Sequence, residues 1–326
     1  MSVARWLGTA GLACVLTATG SAPLRAQALE VDRKIPAYHA GQSVAGSLNS
    51  VGSDTMNNLM TLWAEGFRRV HPSVKVQVEG KGSSTAPPAL IAGTAQLGPM
   101  SRRMKAAELD AFEKKYGYKP LEIRAAVDAL AVYVNKDNPL ERMTIEQVDA
   151  VFSRTRKCGA LSSISRWGQL GLTGVWADKP ISLYGRNSAS GTYGYFKKHA
   201  LCRGDFRDTV KEQPGSASVV QGVTEDLYGI GYSGVGYRTS GVKAIALSRD
   251  GEHFYGVDPE SVYSGKYPLA RFLYIYVNRP PHRPLDPLTK EFLRFVLSRE
   301  GQQVVIKDGY LPLHAGLVAR ELAKLD

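Results

Sequence analysis

The sequence predicts an α/β protein built of two units, and three observations carry that expectation. Short apolar runs of strand type are followed repeatedly by a turn of Ser, Thr and Gly, then by apolar residues at helical spacing. At 326 residues the chain is long enough for two domains of ordinary size. Its composition, 44% hydrophobic and 22% charged, is that of a globular protein rather than a disordered or membrane-embedded one. Open α/β sheets gather ligand groups at the carboxyl ends of their strands. The hydroxyl-rich turns are therefore where chemistry is expected.

Residues 1–28 stand apart. Arg5 gives a positive start, Trp6 to Ala18 is mostly apolar, and Ala26-Gln27-Ala28 is a small-x-small cleavage pattern. This predicts a secretory signal peptide cut after Ala28. A membrane anchor is disfavoured because Thr9, Thr17, Thr19 and Ser21 dilute a run already too short to span. Cys14 hints at lipidation, but Gly11 stands where a lipobox wants a large aliphatic residue. The formal charge is +11, and the signal segment removes only two of the 41 basic residues. The exported chain thus favours anionic partners. Nucleic acid is a poor fit, since no stretch interleaves aromatics with a Lys/Arg stripe and the chain is exported. A small inorganic anion fits well.

From Val31 to about Ser47 there is no clear periodicity. Leu48 to Val51 reads as a strand, followed by the turn Gly52-Ser53-Asp54-Thr55. Met56, Leu59, Met60, Trp63, Phe67 and Val70 then fall on one helical face until His71-Pro72 stops it. Val74 to Val78 alternates as a strand does. The second turn, Gly80-Lys81-Gly82-Ser83-Ser84-Thr85, leads into a helix at Ala89-Leu90-Ile91, with Pro87 and Pro88 tolerated in its first turn. The order of residues is not that of a nucleotide-binding P-loop. A third strand and turn, Gln96 to Arg102, precedes a helix from Lys105 to Lys115. Ala125 to Val134 is an apolar run, and its terminal turn at Asp137-Asn138-Pro139 marks the first crossing between units. Thr144 to Phe152 reads as a Thr-capped helix, and Ser153 to Lys179 as loop. Beyond the next strand come a helix at Ser216 to Asp226, a Gly-rich strand end at Gly229 to Gly234 and a strand at Arg271 to Val277 near the return crossing. An amphipathic helix, Pro287 to Leu297, and a last helix near Glu300 to Lys307 complete the chain.

The stretch that organises the rest is Arg186-Asn187-Ser188-Ala189-Ser190-Gly191-Thr192. A strand, Ile181 to Tyr184, precedes it and a helix, Tyr193 to Ala200, follows. A helix start presents free backbone N–H groups and the positive end of its dipole, so it favours an anion. Ser190 and Thr192 add hydroxyls, Gly191 permits close approach, and Arg186 supplies a planar fork for two oxygens. The plainer alternative is Ser190 as an ordinary N-cap and Arg186 as a solvated charge.

Two cysteines remain after the signal segment, Cys158 and Cys202, and in an exported protein they read as one disulfide. It would staple the loop before the Arg186 stretch to the helix after it. Two unpaired buried thiols are the alternative. The six histidines are scattered and there is no CxxC, so neither a metal site nor a cofactor is expected.

Taken together, Gly52 to Met56, Gly80 to Thr85, Gly98 to Arg102 and Arg186-x3-Ser190-Gly191-Thr192 resemble, in order, the motifs of periplasmic phosphate-binding proteins of ABC importers. The resemblance covers roughly residues 46–320. It implies a two-lobed type II solute-binding fold, each lobe a mixed sheet flanked by helices, with phosphate in the cleft between. Lobe 1 would comprise 46–125 plus 265–326, and lobe 2 126–264. Carried over by motif position, the ligand-binding residues would be Asp54, Thr55, the Met56 N–H, Ser83 or preferably Ser84, Ser101, Arg186, Ser190, Gly191 and Thr192. Where the family's best-known members place an aspartate that accepts the phosphate proton, this chain has Ser101, and Asp54 becomes the nearest acceptor. The plainer reading of Asp54 is a helix cap.

The expected function is therefore capture of inorganic phosphate in the periplasm by a monomer that delivers it to ABC transporter permease subunits, without catalysis. Another oxyanion such as sulfate or molybdate is the first alternative. A secreted phosphatase is the second, although no Gly-x-Ser-x-Gly and no grouped His/Asp ligands occur.

Overall fold

A computed structural model of the protein describes residues 29–326. The expected signal peptide, its cleavage site and Cys14 lie outside the described residues.

In chain order the first elements are β1 (Gly46–Val51), α1 (Asn57–Val70), β2 (Val74–Glu79), α2 (Ala86–Ala92), β3 (Gly98–Met100) and α3 (Ala106–Tyr116). The long strand β4 (Leu121–Asn135) leads to β5 (Arg142–Thr144), α4 (Ile145–Phe152), β6 (Ser182–Arg186), α5 (Gly191–His199), β7 (Lys211–Gln213) and α6 (Ser216–Glu225). Then follow β8 (Gly229–Gly234), β9 (Val242–Ala244), β10 (Ala246–Ser248), α7 (Pro259–Tyr263), β11 (Ala270–Val277), α8 (Pro287–Val296), α9 (Arg299–Lys307) and α10 (Ala315–Ala323). Helix α9 is therefore not the last one; the sequence reading missed α10, whose N-cap His314 makes no side-chain capping bond. It also missed α7 and the three-residue strands β5, β7, β9 and β10, which are too short to show a period.

Local rules account for the main elements. In α1 the stripe Leu59, Met60, Trp63 and Phe67 is buried, and the His71 N–H closes the helix on Phe67 O at 2.9 Å. Gly66 lets the Phe295 ring of α8 approach α1, since a Cβ there would lie 2.8 Å from the ring. Thr144 and Gln147 form a capping box at the start of α4. The lead-in before β1 is pinned: Tyr38 donates its N–H to Glu300 and its hydroxyl to Glu291 at 2.9 Å.

β1 and β2 run parallel, and an isolated bridge between Ser50 and Leu97 joins β1 to the segment entering β3. The main sheet runs β3-β11-β4-β8-β6-β7, with β9 added to β4. β4 is shared by both lobes. Over Leu121 to Ala129 it pairs with β11, and from Leu130 to Asn135 with β8 and β9. The partners of β4 thus change between Ala129 and Leu130, eight residues before the Asp137-Asn138-Pro139 turn begins. β6 is parallel to β7 and β8. The carboxyl ends of β1, β2 and β3 on one side and β6 on the other carry the hydroxyl-rich turns.

Candidate anion-binding site

The turns after β1, β2 and β3 are tied into one surface before any ligand is considered. Ser53 N–H donates to Pro99 O at 2.8 Å, and Gly82 N–H to Gly52 O at 2.7 Å. Gly52 is required by space, because a Cβ there would collide with the Pro99 carbonyl. Gly82, at φ 122°, turns the chain into the 3-10 turn Ser83–Thr85 that opens α2.

Across the cleft stands the fourth turn. Ser190 caps α5, accepting the N–H groups of Thr192 at 3.1 Å and Tyr193 at 3.3 Å. Its own hydroxyl proton stays available to donate, so a capping role and a ligand role coexist. Thr55 Oγ1 and Thr192 Oγ1 meet at 2.8 Å, one from each side. Ser83 Oγ accepts the Ser101 N–H at 3.0 Å and lies 3.3 Å from Ser101 Oγ. Both serines face Gly191: a Cβ there would sit 2.6 Å from Ser101 Oγ and closer still to Ser83 Oγ.

Arg186 ends β6 with its side chain 2% exposed. Nη1 donates to Ser216 Oγ at 2.7 Å and pairs with Asp54 Oδ2 at 3.0 Å; Nη2 donates to Pro214 O at 3.2 Å. The same Asp54 oxygen accepts the Ser216 N–H at 2.8 Å, so the start of α6 also points into the cleft. Tyr237 closes this corner by donating to Asp54 O at 2.9 Å. Burial and then the Asp54 and Asp308 charges raise its phenol far above the ordinary range, so it stays a donor.

Thus Asp54, Thr55, Ser83, Ser101, Arg186, Ser190, Gly191 and Thr192 are brought together at the cleft. Two expected groups are engaged elsewhere. The Met56 N–H donates to Ser53 O at 3.2 Å within its turn, and its side chain is buried in the core. The Ser84 hydroxyl accepts from Arg102 at 3.1 Å, while its N–H bridges the lobes to Ala189 O at 3.1 Å. One residue of rotation about the 3-10 turn separates the inward hydroxyl of Ser83 from the outward one of Ser84.

The sequence reading missed a second buried pair. Arg271 on β11 donates to Asp128 Oδ2 at 2.8 Å through Nε and to Thr192 Oγ1 at 2.9 Å through Nη2. Asp128 also accepts the Val235 N–H at 3.0 Å. The available signal was one acid in the apolar run Ala125 to Val134: a fully buried carboxylate demands a partner. Arg186 Nε and Arg271 Nη1 are buried without a hydrogen-bond partner among the described residues. Two orphan guanidinium donors beside several hydroxyls and helix starts suit an acceptor-rich ligand. Among the described residues no group of three or more His, Cys, Asp or Glu is placed to hold a metal. Behind α5, Cys158 and Cys202 form the expected disulfide, with Cα atoms 5.3 Å apart.

Comparison with known proteins agrees with this geometry. A family model described as the PBP superfamily domain matches residues 37–300. The phosphate-binding protein PstS of Pseudomonas aeruginosa is 57% identical over 296 residues, which cover 90% of this chain and 92% of that protein. The phosphate-binding protein PstS of Bacillus subtilis is 28% identical over 284 residues, covering 86% and 85%. Among solved structures, a Clostridium perfringens protein provisionally described as a phosphate ABC transporter substrate-binding protein, with bound phosphate, superposes with a TM-score of 0.69. Its identity is 25%, with 82% of this chain and 100% of that one covered. A possible phosphate binding protein from Planctomyces limnophilus gives 0.61 at 27% identity, covering 87% and 98%.

Proposed function

The chain belongs to the PBP superfamily, and within it to the PstS family of phosphate-binding proteins; on that premise we propose that it binds inorganic phosphate between its lobes and delivers it to ABC transporter permease subunits. The observation that carries this reading is the convergence of Thr55, Ser83 and Ser101 with Arg186, Ser190 and Thr192, drawn from helix starts in both lobes. Arg186 Nε and Arg271 Nη1 supply donors that the protein itself does not use. Charge-assisted hydrogen bonds contribute about 1.5–3 kcal/mol each. Four or five of them total about 6–15 kcal/mol, a range that from its middle upward exceeds the roughly 8 kcal/mol of micromolar binding. The excess offsets desolvation of the anion and lobe closure.

Asp54 is the acceptor for the proton of a protonated phosphate. Its Oδ2 is engaged by Arg186 and Ser216, and Oδ1 accepts no hydrogen bond among the described residues. Both Asp128 oxygens are already occupied. A carboxylate only accepts, so it repels fully ionised sulfate.

The lobes are 46–125 plus 265–326 and 126–264, and closure bends the crossing strands β4 and β11. Export by the signal segment places the protein in the periplasm as a monomer, and it performs no chemistry on its ligand. The test is titration calorimetry of ligand-stripped protein with phosphate, then sulfate and molybdate. Heat with phosphate alone is expected. No heat and no thermal shift with phosphate ends the proposal, and tighter binding of another oxyanion replaces the ligand.

A further inference from the structure

Beyond Thr192 a cavity of about 470 Å³ opens, lined on its basic side by Arg102, Arg103, Lys105, Lys198, His199 and Arg271. Two of these residues form the wall it shares with the inner site. Arg271 donates to Thr192 and Arg102 to Ser84. Three carboxylates face the cavity's arginines and each is spoken for. Glu108 takes both Arg102 Nη atoms at 2.7 and 2.6 Å, Glu122 lies 3.3 Å from Arg103, and Asp128 holds Arg271.

Lys105 and Lys198 remain. They come from the start of α3 and from α5, are exposed, and have no ion-pair partner among the described residues. His199 adds no charge at neutral pH. It stacks on Tyr195 at 4.3 Å, and burial, then Lys198, Arg249 and Arg271, lower its pKa to about 4. The aromatic rings serve the arginines rather than a planar ligand: Arg271 lies 5.2 Å over Tyr195, Arg124 5.2 Å over Phe272 and Arg103 5.8 Å over Tyr274.

We propose that this cavity is an outer oxyanion subsite, in which Lys105 and Lys198 hold an incoming phosphate beside the Arg102–Arg271 wall before it passes to the buried pocket. The inference rests on phosphate being the ligand. Two solvated ammonium groups bind a hydrated anion weakly and without selectivity. Their effect is to raise its local concentration at the mouth of the cleft, which speeds association and fades as salt screens the field. Selection belongs to the inner site.

The experiment is stopped-flow association of orthophosphate with the full mature chain at low and high ionic strength. Lys105→Gln/Lys198→Gln is expected to slow association about three- to tenfold at low salt and to flatten its salt dependence, leaving the dissociation rate unchanged. Lys75→Gln/Lys157→Gln, an equal charge loss outside the cavity, is expected to leave the rate within about twofold. An unchanged rate in the first variant, or equal slowing in both, overturns the subsite while phosphate binding stands. Absence of equilibrium phosphate binding by the unaltered chain overturns both readings.

Discussion

Arg186 Nη1 and Asp54 Oδ2 lie 3.0 Å apart, an ion pair that joins the end of β6 to the turn after β1 across the cleft. The arginine is almost fully buried and the aspartate is not, its side chain being 20% exposed. The guanidinium is therefore fixed by Ser216 and Pro214, and Asp54 docks onto it from the other lobe.

Removing the guanidinium should weaken phosphate binding by at least tenfold. Arg186→Ala deletes one or more charge-assisted bonds of about 1.5–3 kcal/mol. Arg186→Lys should not restore the affinity, because one ammonium cannot meet Ser216, Pro214 and an anion in the geometry of a planar fork. Calorimetry on both variants decides it; an unaltered dissociation constant would move the site elsewhere.

Asp54→Asn replaces an acceptor-only group with one that donates. Phosphate should bind more weakly and sulfate more tightly, so that the affinity ratio falls by about tenfold or more, the worth of one charge-assisted bond. Competition titration reads that ratio. If it does not move, another group receives the phosphate proton.

Much of this site was legible because a helix start announces itself locally. The Arg186 to Thr192 stretch combines a strand, a cap and a glycine within a dozen residues, and the structure turns it into the cleft. Whether residue 83 or 84 points inward was not legible, since it depends on how a 3-10 turn meets β3. Arg271 and Asp128 were hidden for a different reason. They lie 143 positions apart in the chain and meet only because β4 and β11 pair in register, Arg271 opposite Asp128. The change of partners along β4 was not legible either, because an apolar strand buried on both faces shows no mark where its partners change.

Gly191→Ala should lower phosphate affinity by about tenfold or more, the effect of overpacking by about 1–3 kcal/mol. The backbone at Gly191 is an ordinary helix start, and Ala is the better helix former there. The loss would come from the new methyl meeting Ser83 Oγ and Ser101 Oγ. Calorimetry together with a melting curve reads both effects: weaker binding and a lower Tm are expected, and unchanged binding would mean the serines yield freely.

Breaking the disulfide should cost stability rather than affinity. It closes a sequence separation of 44, for which chain entropy gives about 4 kcal/mol. It also holds the exit of α5, where Cys202 and Arg203 both adopt positive φ, 48° and 64°. Cys158→Ser/Cys202→Ser should lower the urea midpoint by an amount equivalent to about 2–4 kcal/mol. Phosphate affinity should stay within about threefold, because the capped start of α5 is held by Ser190 and the neighbouring turns. Equal midpoints for the two proteins would refute the stabilising role.

Asp308 gives the protein an acid-side stability gradient of unusual sign for a carboxylate. It follows α9, accepts from Asn58, and its carbonyl lies against Gly236 in the turn after β8. Burial raises its pKa from 3.8 to about 6, partly opposed by the Asn58 hydrogen bond. The folded state therefore binds the proton more tightly than the unfolded chain does. Between about pH 4 and 6 the folded protein carries more protons at this site, so its contribution to stability falls as pH rises through that window. Discounted for partial solvent screening, the effect is about 1–2 kcal/mol. Asp308→Asn keeps an acceptor for Asn58 and removes the charge. It should raise the urea midpoint at pH 7, leave it unaltered near pH 4, and flatten the profile between them. A variant less stable than the parent at pH 7 would show that the ionised carboxylate has a favourable partner there, and that burial does not govern its titration.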